Sequence, residues 1–166
     1  KYGIDKHFIL YVGNNMPHKN VRLLYDSYIS LPYDIKKDYQ LVMIGFKDIF
    51  NSYPLARVIE KVDDDELACF YSGASLFVFP SLYEGFGYPP LEALKCGAKV
   101  VSSNLSCLPE ILKDYVFYFN PYNRSELIDL MIQVLNGDIK IEKKPDFSLF
   151  SIDCFISEVK KIFGLI

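Results

Sequence analysis

Short, almost wholly apolar runs alternate along the chain with longer stretches in which apolar residues recur every three or four positions. Short runs of this kind are typical of β-strands buried on both faces, and the longer stretches are typical of amphipathic helices. The pattern predicts six strands, at 8–13, 39–45, 57–60, 76–80, 99–102 and 115–119. It predicts helical segments at 20–31, 64–73, 90–96, 108–113, 125–136 and 153–162, with a polar loop at 137–146.

Strands that alternate with helices indicate an α/β fold: a doubly wound, mostly parallel Rossmann-like sheet with helices on both faces. With 166 residues, the chain is long enough for one domain with a sizeable core. In open sheets of this kind, ligands bind beyond the carboxyl ends of the strands. We therefore expect the functional residues to follow the strands directly.

Charge and cysteine usage exclude several classes of protein. The net charge is −3 and the chain has no basic block, which disfavours nucleic-acid binding. Because the cysteines form no CxxC pair and have no histidine partners at metal spacing, we expect reduced and mostly buried thiols. These cysteines are Cys69, Cys96, Cys107 and Cys154. No apolar run approaches the ~20 residues that span a bilayer.

The segment 80–96, PSLYEGFGYPPLEALKC, places Glu84 and Glu92 on either side of a turn that contains two glycines. Gly85 and Gly87 permit unusual backbone angles and let backbone amides approach a ligand closely. Two prolines then start a helix, whose positive end favours anions such as phosphate. Glutamates beside such an anion site suit a nucleotide sugar, because carboxylates accept paired hydrogen bonds from vicinal hydroxyls. The alternative is a solvated Glu84 and a first-turn Glu92 that only complements the helix dipole.

The segment 71–110 resembles glycosyltransferase family four, the retaining enzymes of the GT-B fold. The family signature is a pair of glutamates separated by seven residues, with glycines after the first glutamate. The matching positions are Glu84, Gly85, Phe86, Gly87 and Glu92. The segment 11–20, YVGNNMPHKN, is similar to the donor-phosphate loop of the same family.

The resemblance implies a role for each residue of the turn. Glu84 would contact hydroxyls of the transferred sugar, and the amides of Gly85, Phe86 and Gly87 would meet the sugar and the diphosphate. Glu92 would bind the ribose of the nucleotide.

The resemblance also extends to loops elsewhere on the chain. Lys19 would neutralise the diphosphate and, like Glu84, would be catalytic, while Gly13 and Asn14 would belong to the phosphate loop. The main chain at Val62 would line the base pocket. Many relatives carry an arginine where this chain has asparagines, which leaves one phosphate cation unaccounted for. The alternative for Lys19 is a polar turn that precedes a helix capped by Asn20.

The resemblance implies no metal and no cofactor beyond the nucleotide sugar itself. A run of three aspartates, 63–65, matches a DxD metal motif, but we interpret it as a helix start with Asp63 as the cap and Glu66 completing a capping box. Ser102, Ser103 and Asn104 follow a strand and either reach the ligand or form a simple turn.

We expect residues 1–166 to be the C-terminal, donor-binding domain of a retaining hexosyltransferase of bacterial surface polysaccharide or lipopolysaccharide synthesis. The chain enters a strand within a few residues and has no initiator methionine, so we expect an N-terminal acceptor domain to be absent. This chain alone would bind the donor but transfer little. By the same resemblance, the helix at 153–162 crosses back to the absent domain. We expect the whole enzyme in the cytoplasm, in peripheral contact with the inner face of the membrane.

Three other functions remain open at this point. A dehydrogenase or regulatory Rossmann domain would carry GxGxxG after the first strand, where this chain reads GNNMPHKN. A glycosidase would hold Glu84 and Glu92 about 5 to 9.5 Å apart across the scissile bond. An epimerase or phosphorylase of the GT-B fold could be distinguished from a glycosyltransferase only by an activity assay.

Overall fold

The computed structural model describes residues 1–48 and 50–150. These residues form a six-stranded, fully parallel sheet with helices on both faces. The strands are β1 (His7–Val12), β2 (Tyr39–Ile44), β3 (Ala56–Ile59), β4 (Leu76–Phe79), β5 (Val100–Ser103) and β6 (Phe117–Phe119). The helices are α1 (Val21–Ile29), α2 (Tyr33–Lys36), α3 (Asp64–Gly73), α4 (Tyr88–Lys95), α5 (Leu108–Leu112) and α6 (Arg124–Asn136). Short 3-10 turns occupy Pro17–Lys19 and Phe147–Phe150.

The predicted strands are all confirmed, each with bounds within two residues of the observed ones. The helices confirmed within the described residues agree equally well, but the pattern missed the single turn α2, which follows Pro32. The predicted helix at 153–162 lies outside the described residues. Among the helices that are described, none combines the length and apolar character needed to cross a bilayer.

Alternate residues of each strand feed two hydrophobic clusters, one on each face of the sheet. Ile9 and Tyr11 of β1 pack in the cluster that contains α1 and α6, while Leu10 packs in the cluster that contains α3, α4 and α5. Because both faces are covered, the central side chains of the inner strands are buried, whereas His7 at the start of β1 is exposed. This arrangement explains why the strands appear in the sequence as unbroken apolar runs.

The strand order is β3-β2-β1-β4-β5-β6. The chain therefore builds the sheet outward from β1 in one direction, returns, and continues from β4 on the other side of β1. Such a reversal makes the loops after β1 and β4 neighbours at the carboxyl edge, which is where open α/β sheets bind ligands.

Candidate functional site

Lys19 and Glu84 form an ion pair across this reversal point. Lys19 ends the 3-10 turn after β1, and its Nζ donates to Glu84 Oε1 at 2.6 Å and Oε2 at 2.8 Å. The two side chains are only 14% and 10% exposed, so the alternative of a solvated Glu84 is wrong. The ammonium also lies 5.7 Å from the ring centroid of Phe79, within cation–π range.

The alternative for Lys19, a polar turn that precedes a helix capped by Asn20, is only partly correct. Asn20 occupies the N-cap position of α1, but its backbone is left-handed with φ of 52° and its side chain caps nothing. Its side-chain amide lies 3.5 Å from the carbonyl oxygen of Pro121 instead. The loop is therefore shaped by its backbone, and the Lys19 side chain is directed to Glu84.

The backbone of the turn 80–87 is held by neighbouring loops. The Leu82 N–H donates to the His18 carbonyl at 2.7 Å, which ties the turn to the loop after β1. On the other side, the Ser103 hydroxyl donates to the Ser81 carbonyl at 2.6 Å. Both Ser102 and Ser103 are fully buried, which argues against contact with a ligand. Ser103 supports the turn directly, whereas the Ser102 hydroxyl donates to the Ser103 carbonyl.

Ser106 holds the peptide of Glu84 itself. Its hydroxyl donates to the Glu84 carbonyl at 2.9 Å and accepts a hydrogen bond from the Glu84 N–H at 3.3 Å. Ser106 adopts a left-handed backbone with φ of 59°, which is uncommon for a residue other than glycine. Glu84 is thus fixed at both ends, by Lys19 at the carboxylate and by Ser106 at the backbone.

The two glycines of the turn have different roles. Gly87 is the N-cap of α4 with φ of 93°, and a Cβ added there would lie 2.8 Å from Leu108 Cδ2. Gly85 does not adopt a positive φ, and a Cβ there would meet nothing within 4 Å. The predicted need for unusual backbone angles is therefore confirmed at Gly87 and wrong at Gly85. Between them, the ring of Phe86 lies 4.8 Å from that of Tyr88.

Glu92 lies in the second turn of α4, because the helix begins at Tyr88 and not at the second proline. The prediction that Glu92 lies in the first turn is wrong, which weakens the view that it merely complements the helix dipole. Glu92 is exposed, yet its Oε2 accepts a hydrogen bond from the Tyr71 hydroxyl at 2.8 Å. Burial, and then the hydrogen bond to Glu92, raise the pKa of Tyr71, so the phenol remains a neutral donor.

The loop after β1 has its own internal support. The Gly13 N–H donates to the Ile44 carbonyl at 2.9 Å, and the Tyr11 hydroxyl donates to the Asn14 carbonyl at 2.8 Å. Burial raises the pKa of Tyr11, and the nearby charge of Glu84 raises it further. The Asn14 side-chain oxygen accepts from the Met16 N–H at 3.1 Å, so it shapes the loop from within.

Val62 follows β3 on the same edge of the sheet and is half-buried against the cluster around α3. Asp63 stands at the N-cap position of α3, as predicted, but its side chain makes no capping hydrogen bond. Glu66 pairs with Lys1 and accepts a hydrogen bond from the Tyr2 hydroxyl. Within residues 1–48 and 50–150, no three His, Cys, Asp or Glu side chains are placed to hold a metal ion.

The expectation of mostly buried thiols is wrong for the cysteines that are described. Cys69 is exposed, and Cys96 and Cys107 are partly exposed. Cys107 lies beside the turn, with its Sγ 3.3 Å from the Glu84 carbonyl.

The structure brings Lys19 and Glu84 into direct contact, joins Gly13 and Asn14 to the Lys19 loop, and links Glu92 to the turn through α4. Among the described contacts, none joins Val62 to the others. Sequence reasoning missed Tyr71 and Ser106. Tyr71 lies on the apolar face of its helix and therefore resembles an ordinary core residue in the sequence, and Ser106 carries no signal of its left-handed backbone.

One cavity of about 390 Å³ lies at the amino ends of β5 and β6 and is lined by Lys99, Val100, Phe117 and residues 139–145.

Two sequence comparisons extend these observations. The family model for glycosyl transferases group 1 matches residues 1–147. The chain is 34% identical over 152 residues to the serotype-specific mannosyltransferase WbdA of Escherichia coli, which covers 83% of this chain and 18% of that protein. It is also 34% identical over 143 residues to the O-antigen chain mannosyltransferase B of Escherichia coli, covering 79% of this chain and 37% of that one.

Solved structures agree on the fold. Sucrose-phosphate synthase of Thermosynechococcus elongatus superposes with a TM-score of 0.67 at 26% identity, over 80% of this chain and 37% of that one. The lipopolysaccharide outer core galactosyltransferase WaaB superposes with a TM-score of 0.72 at 20% identity, over 100% of this chain and 51% of that one, which supports the fold alone. The predicted Rossmann-like fold of the GT-B type is confirmed. The chain spans well under half the length of the two mannosyltransferases.

Proposed function

Because this chain belongs to the group 1 glycosyl transferases, we propose that it is the donor-binding part of a retaining glycosyltransferase and binds a nucleoside-diphosphate sugar at the carboxyl edge of its sheet. The observation that carries the proposal is the ion pair of Lys19 and Glu84 across the loops after β1 and β4. This pair places a cation and a hydroxyl acceptor together at the point where the strand order reverses.

The diphosphate binds beside Lys19 and the amides of the turn. An ammonium group carries three N–H donors, and Glu84 occupies two of them, so one remains for a phosphate oxygen. The open space at Gly85 lets a ligand approach the backbone, and α4 directs its positive end to the same place. Fixed positive charge at this position makes a metal ion unnecessary.

Lys19 and Glu84 act most strongly as the glycosidic bond breaks. Negative charge then grows on the leaving phosphate, and a preorganised cation with oriented amides stabilises it more in the transition state than in the bound substrate. Glu84 accepts hydrogen bonds from hydroxyls of the sugar, while Glu92 accepts them from the ribose. Retention of configuration is inferred from the family.

The two relatives at 34% identity are named as mannosyltransferases, one of them of the O-antigen chain. We therefore take a mannosyl nucleotide as the first donor to test, and a bacterial surface polysaccharide as the product. A second domain outside this chain would supply the acceptor site and the other wall of the cleft. The whole enzyme would work in the cytoplasm, at the inner face of the membrane.

Calorimetric titration of the 166-residue chain with GDP-mannose, UDP-glucose and UDP-galactose tests the proposal. We expect at least one donor to bind, and Lys19→Met and Glu92→Ala each to weaken it by about 1.5–3 kcal/mol, or roughly tenfold to a hundredfold. The control is Lys143→Met, which removes another lysine whose ammonium donates to both oxygens of a carboxylate, near the start of β5. Equal affinity in all four proteins would reject the site.

Two further arms of the experiment test the remaining points. Addition of EDTA should leave the affinity for the donor unchanged. A loss of affinity on addition of EDTA would show that binding requires a metal ion. The chain alone, mixed with donor and water or simple sugars, should release almost no free sugar. Hydrolysis of simple glycosides without a nucleotide would instead support the glycosidase alternative.

A further inference from the structure

Within the described part of the chain, Tyr71 is the residue that hydrogen-bonds the carboxylate of Glu92. Its hydroxyl donates to Glu92 Oε2 at 2.8 Å from a side chain that is only 2% exposed. The ring is fixed in turn by an edge contact with Phe77, at 5.6 Å between centroids. The donor is therefore rigid, although the acceptor that it holds is exposed.

An exposed glutamate on a helix ordinarily samples many rotamers, and ordering it costs up to ~2 kcal/mol of side-chain entropy. A hydrogen bond from a fixed, neutral phenol removes much of this freedom before any ligand arrives. Preorganisation of this kind raises affinity by lowering the entropy lost on binding. Tyr71 has no charge, so it leaves the negative charge of Glu92 intact.

The geometry leaves Glu92 able to accept further hydrogen bonds. Within the described part of the chain, its Oε1 has no hydrogen-bond partner, and Oε2 has one lone pair left after Tyr71. Glu92 lies five positions after Gly87, which is about 7.5 Å along the helix axis at 1.5 Å per residue. In a nucleoside diphosphate, the ribose carries two vicinal hydroxyls and is joined directly to the diphosphate. A carboxylate at this distance from the anion site is therefore placed to accept hydrogen bonds from those hydroxyls.

We propose that Tyr71 is a positioning residue, which orients Glu92 so that the site distinguishes a ribonucleotide from its deoxy counterpart. The inference rests on the proposed function and extends it to a residue that touches no ligand itself. A simple tie between α3 and α4 would affect stability, whereas a positioning role also changes the ratio of affinities for two ligands that differ only in the ribose hydroxyls.

The test compares the affinity of the chain for GDP and UDP with that for 2′,3′-dideoxy-GDP and 2′,3′-dideoxy-UDP. In the wild type we expect the ribonucleotide to bind at least ~10-fold more tightly, since hydrogen bonds to a charged group are lost in the dideoxy form. Glu92→Ala should reduce the ratio to near one. Tyr71→Phe, which deletes only the hydroxyl, should reduce it by about 3-fold to 10-fold while leaving dideoxy binding unchanged.

The matched control is Tyr28→Phe. Tyr28 is also a buried tyrosine, and its hydroxyl donates to the Tyr39 carbonyl at 3.2 Å on the opposite face of the sheet. Both variants lose a buried phenol hydroxyl, and melting temperatures will show whether their folding differs. The Tyr28 variant should keep the wild-type ratio of affinities.

The outcomes separate the inference from the proposed function. Binding of no nucleotide by the wild type would overturn both. If Glu92→Ala abolishes the ratio and Tyr71→Phe keeps it, the role of Tyr71 is refuted and the donor site stands. If both variants reduce the ratio and Tyr28→Phe does not, Tyr71 positions Glu92.

Discussion

Two lysine–carboxylate pairs, one at each edge of the sheet, have the same contact geometry and very different surroundings. At the carboxyl edge, Lys19 binds the two oxygens of Glu84 at 2.6 and 2.8 Å. Near the amino edge, Lys143 binds those of Asp114 at 2.8 and 2.6 Å. Each ammonium also lies over an aromatic ring, at 5.7 Å in the first pair and 5.2 Å in the second.

Burial is what distinguishes the two pairs. Lys19 and Glu84 are 14% and 10% exposed, whereas Lys143 and Asp114 are 56% and 62% exposed. Water screens the exposed pair, and each of its charges is well solvated without the other. In the buried pair, either charge alone would be left with little water and no counter-charge. Distances alone therefore do not identify a functional pair; the same contact has consequences only where solvent is excluded.

The largest effect is expected from Lys19→Met, which leaves the Glu84 carboxylate largely buried and unpaired. We expect a loss of about 3 kcal/mol in the free energy of unfolding, at the low end of the range for broken buried pairs. For a chain of this size, the melting temperature should fall by about 6–12 °C. Denaturant unfolding followed by circular dichroism measures this change.

The double variant Lys19→Met with Glu84→Gln completes a double-mutant cycle with the two single variants. Because it removes both charges, it should lose less stability than the sum of the single variants, with a coupling of at least ~1 kcal/mol. Additive losses would mean that the two residues do not depend on each other, and the comparison of the two edges would fail.

Two glycines at opposite edges give the second test, with an intermediate effect. Gly87, before α4, and Gly97, after it, have similar left-handed backbones, with φ of 93° and 84°. A Cβ at position 87 would lie 2.8 Å from Leu108 Cδ2, while one at position 97 would meet nothing within 4 Å. We expect Gly97→Ala to cost about 1 kcal/mol from backbone strain alone, and Gly87→Ala about 2–3 kcal/mol because it adds a clash.

Gly85→Ala serves as the control within the turn, since that position has neither a positive φ nor a neighbour within 4 Å. Its unfolding free energy should stay within ~0.5 kcal/mol of the wild type. Thermal melts of the three variants decide the order. If Gly87→Ala and Gly97→Ala were equal, packing against Leu108 would have no role in holding the turn.

The fold was largely readable from the sequence for a physical reason. Every inner strand is buried on both faces, so each appears as an apolar run between turn residues. The strand order was not readable, because it depends on which loops cross over the sheet and not on any local pattern. The turn at Glu84 and the left-handed backbone at Gly87 could be predicted, since glycine acts on the backbone locally, but the same reasoning was wrong at Gly85.

The partners within the site could not be predicted in the same way. The contact between Lys19 and Glu84 joins residues 65 positions apart, and nothing local specifies that Lys19 binds Glu84 directly. Tyr71 is hidden among core residues because the ring is buried and only the hydroxyl is functional. The prolines suggested that α4 begins at Pro90, but it begins two residues earlier, at Tyr88. Glu92 was therefore predicted in the first turn of the helix and lies in the second.

The smallest effect is expected at the exposed pair. The hydrogen bond from Lys143 lowers the pKa of Asp114 from its ordinary 3.8 and raises that of Lys143 from 10.5. The pair therefore contributes fully between these ordinary values. Its contribution is lost as the pH falls through the lowered pKa of Asp114, or rises through the raised pKa of Lys143.

Because both side chains are well solvated, Lys143→Met should leave the melting temperature at pH 7 unchanged within error, at low and high salt alike. Melts at pH 7 and pH 3 check this, since any small difference at pH 7 must begin to shrink once the pH falls below 3.8, the ordinary pKa of Asp114. A fall comparable to that of Lys19→Met would show that contact geometry, and not burial, sets the strength of these pairs.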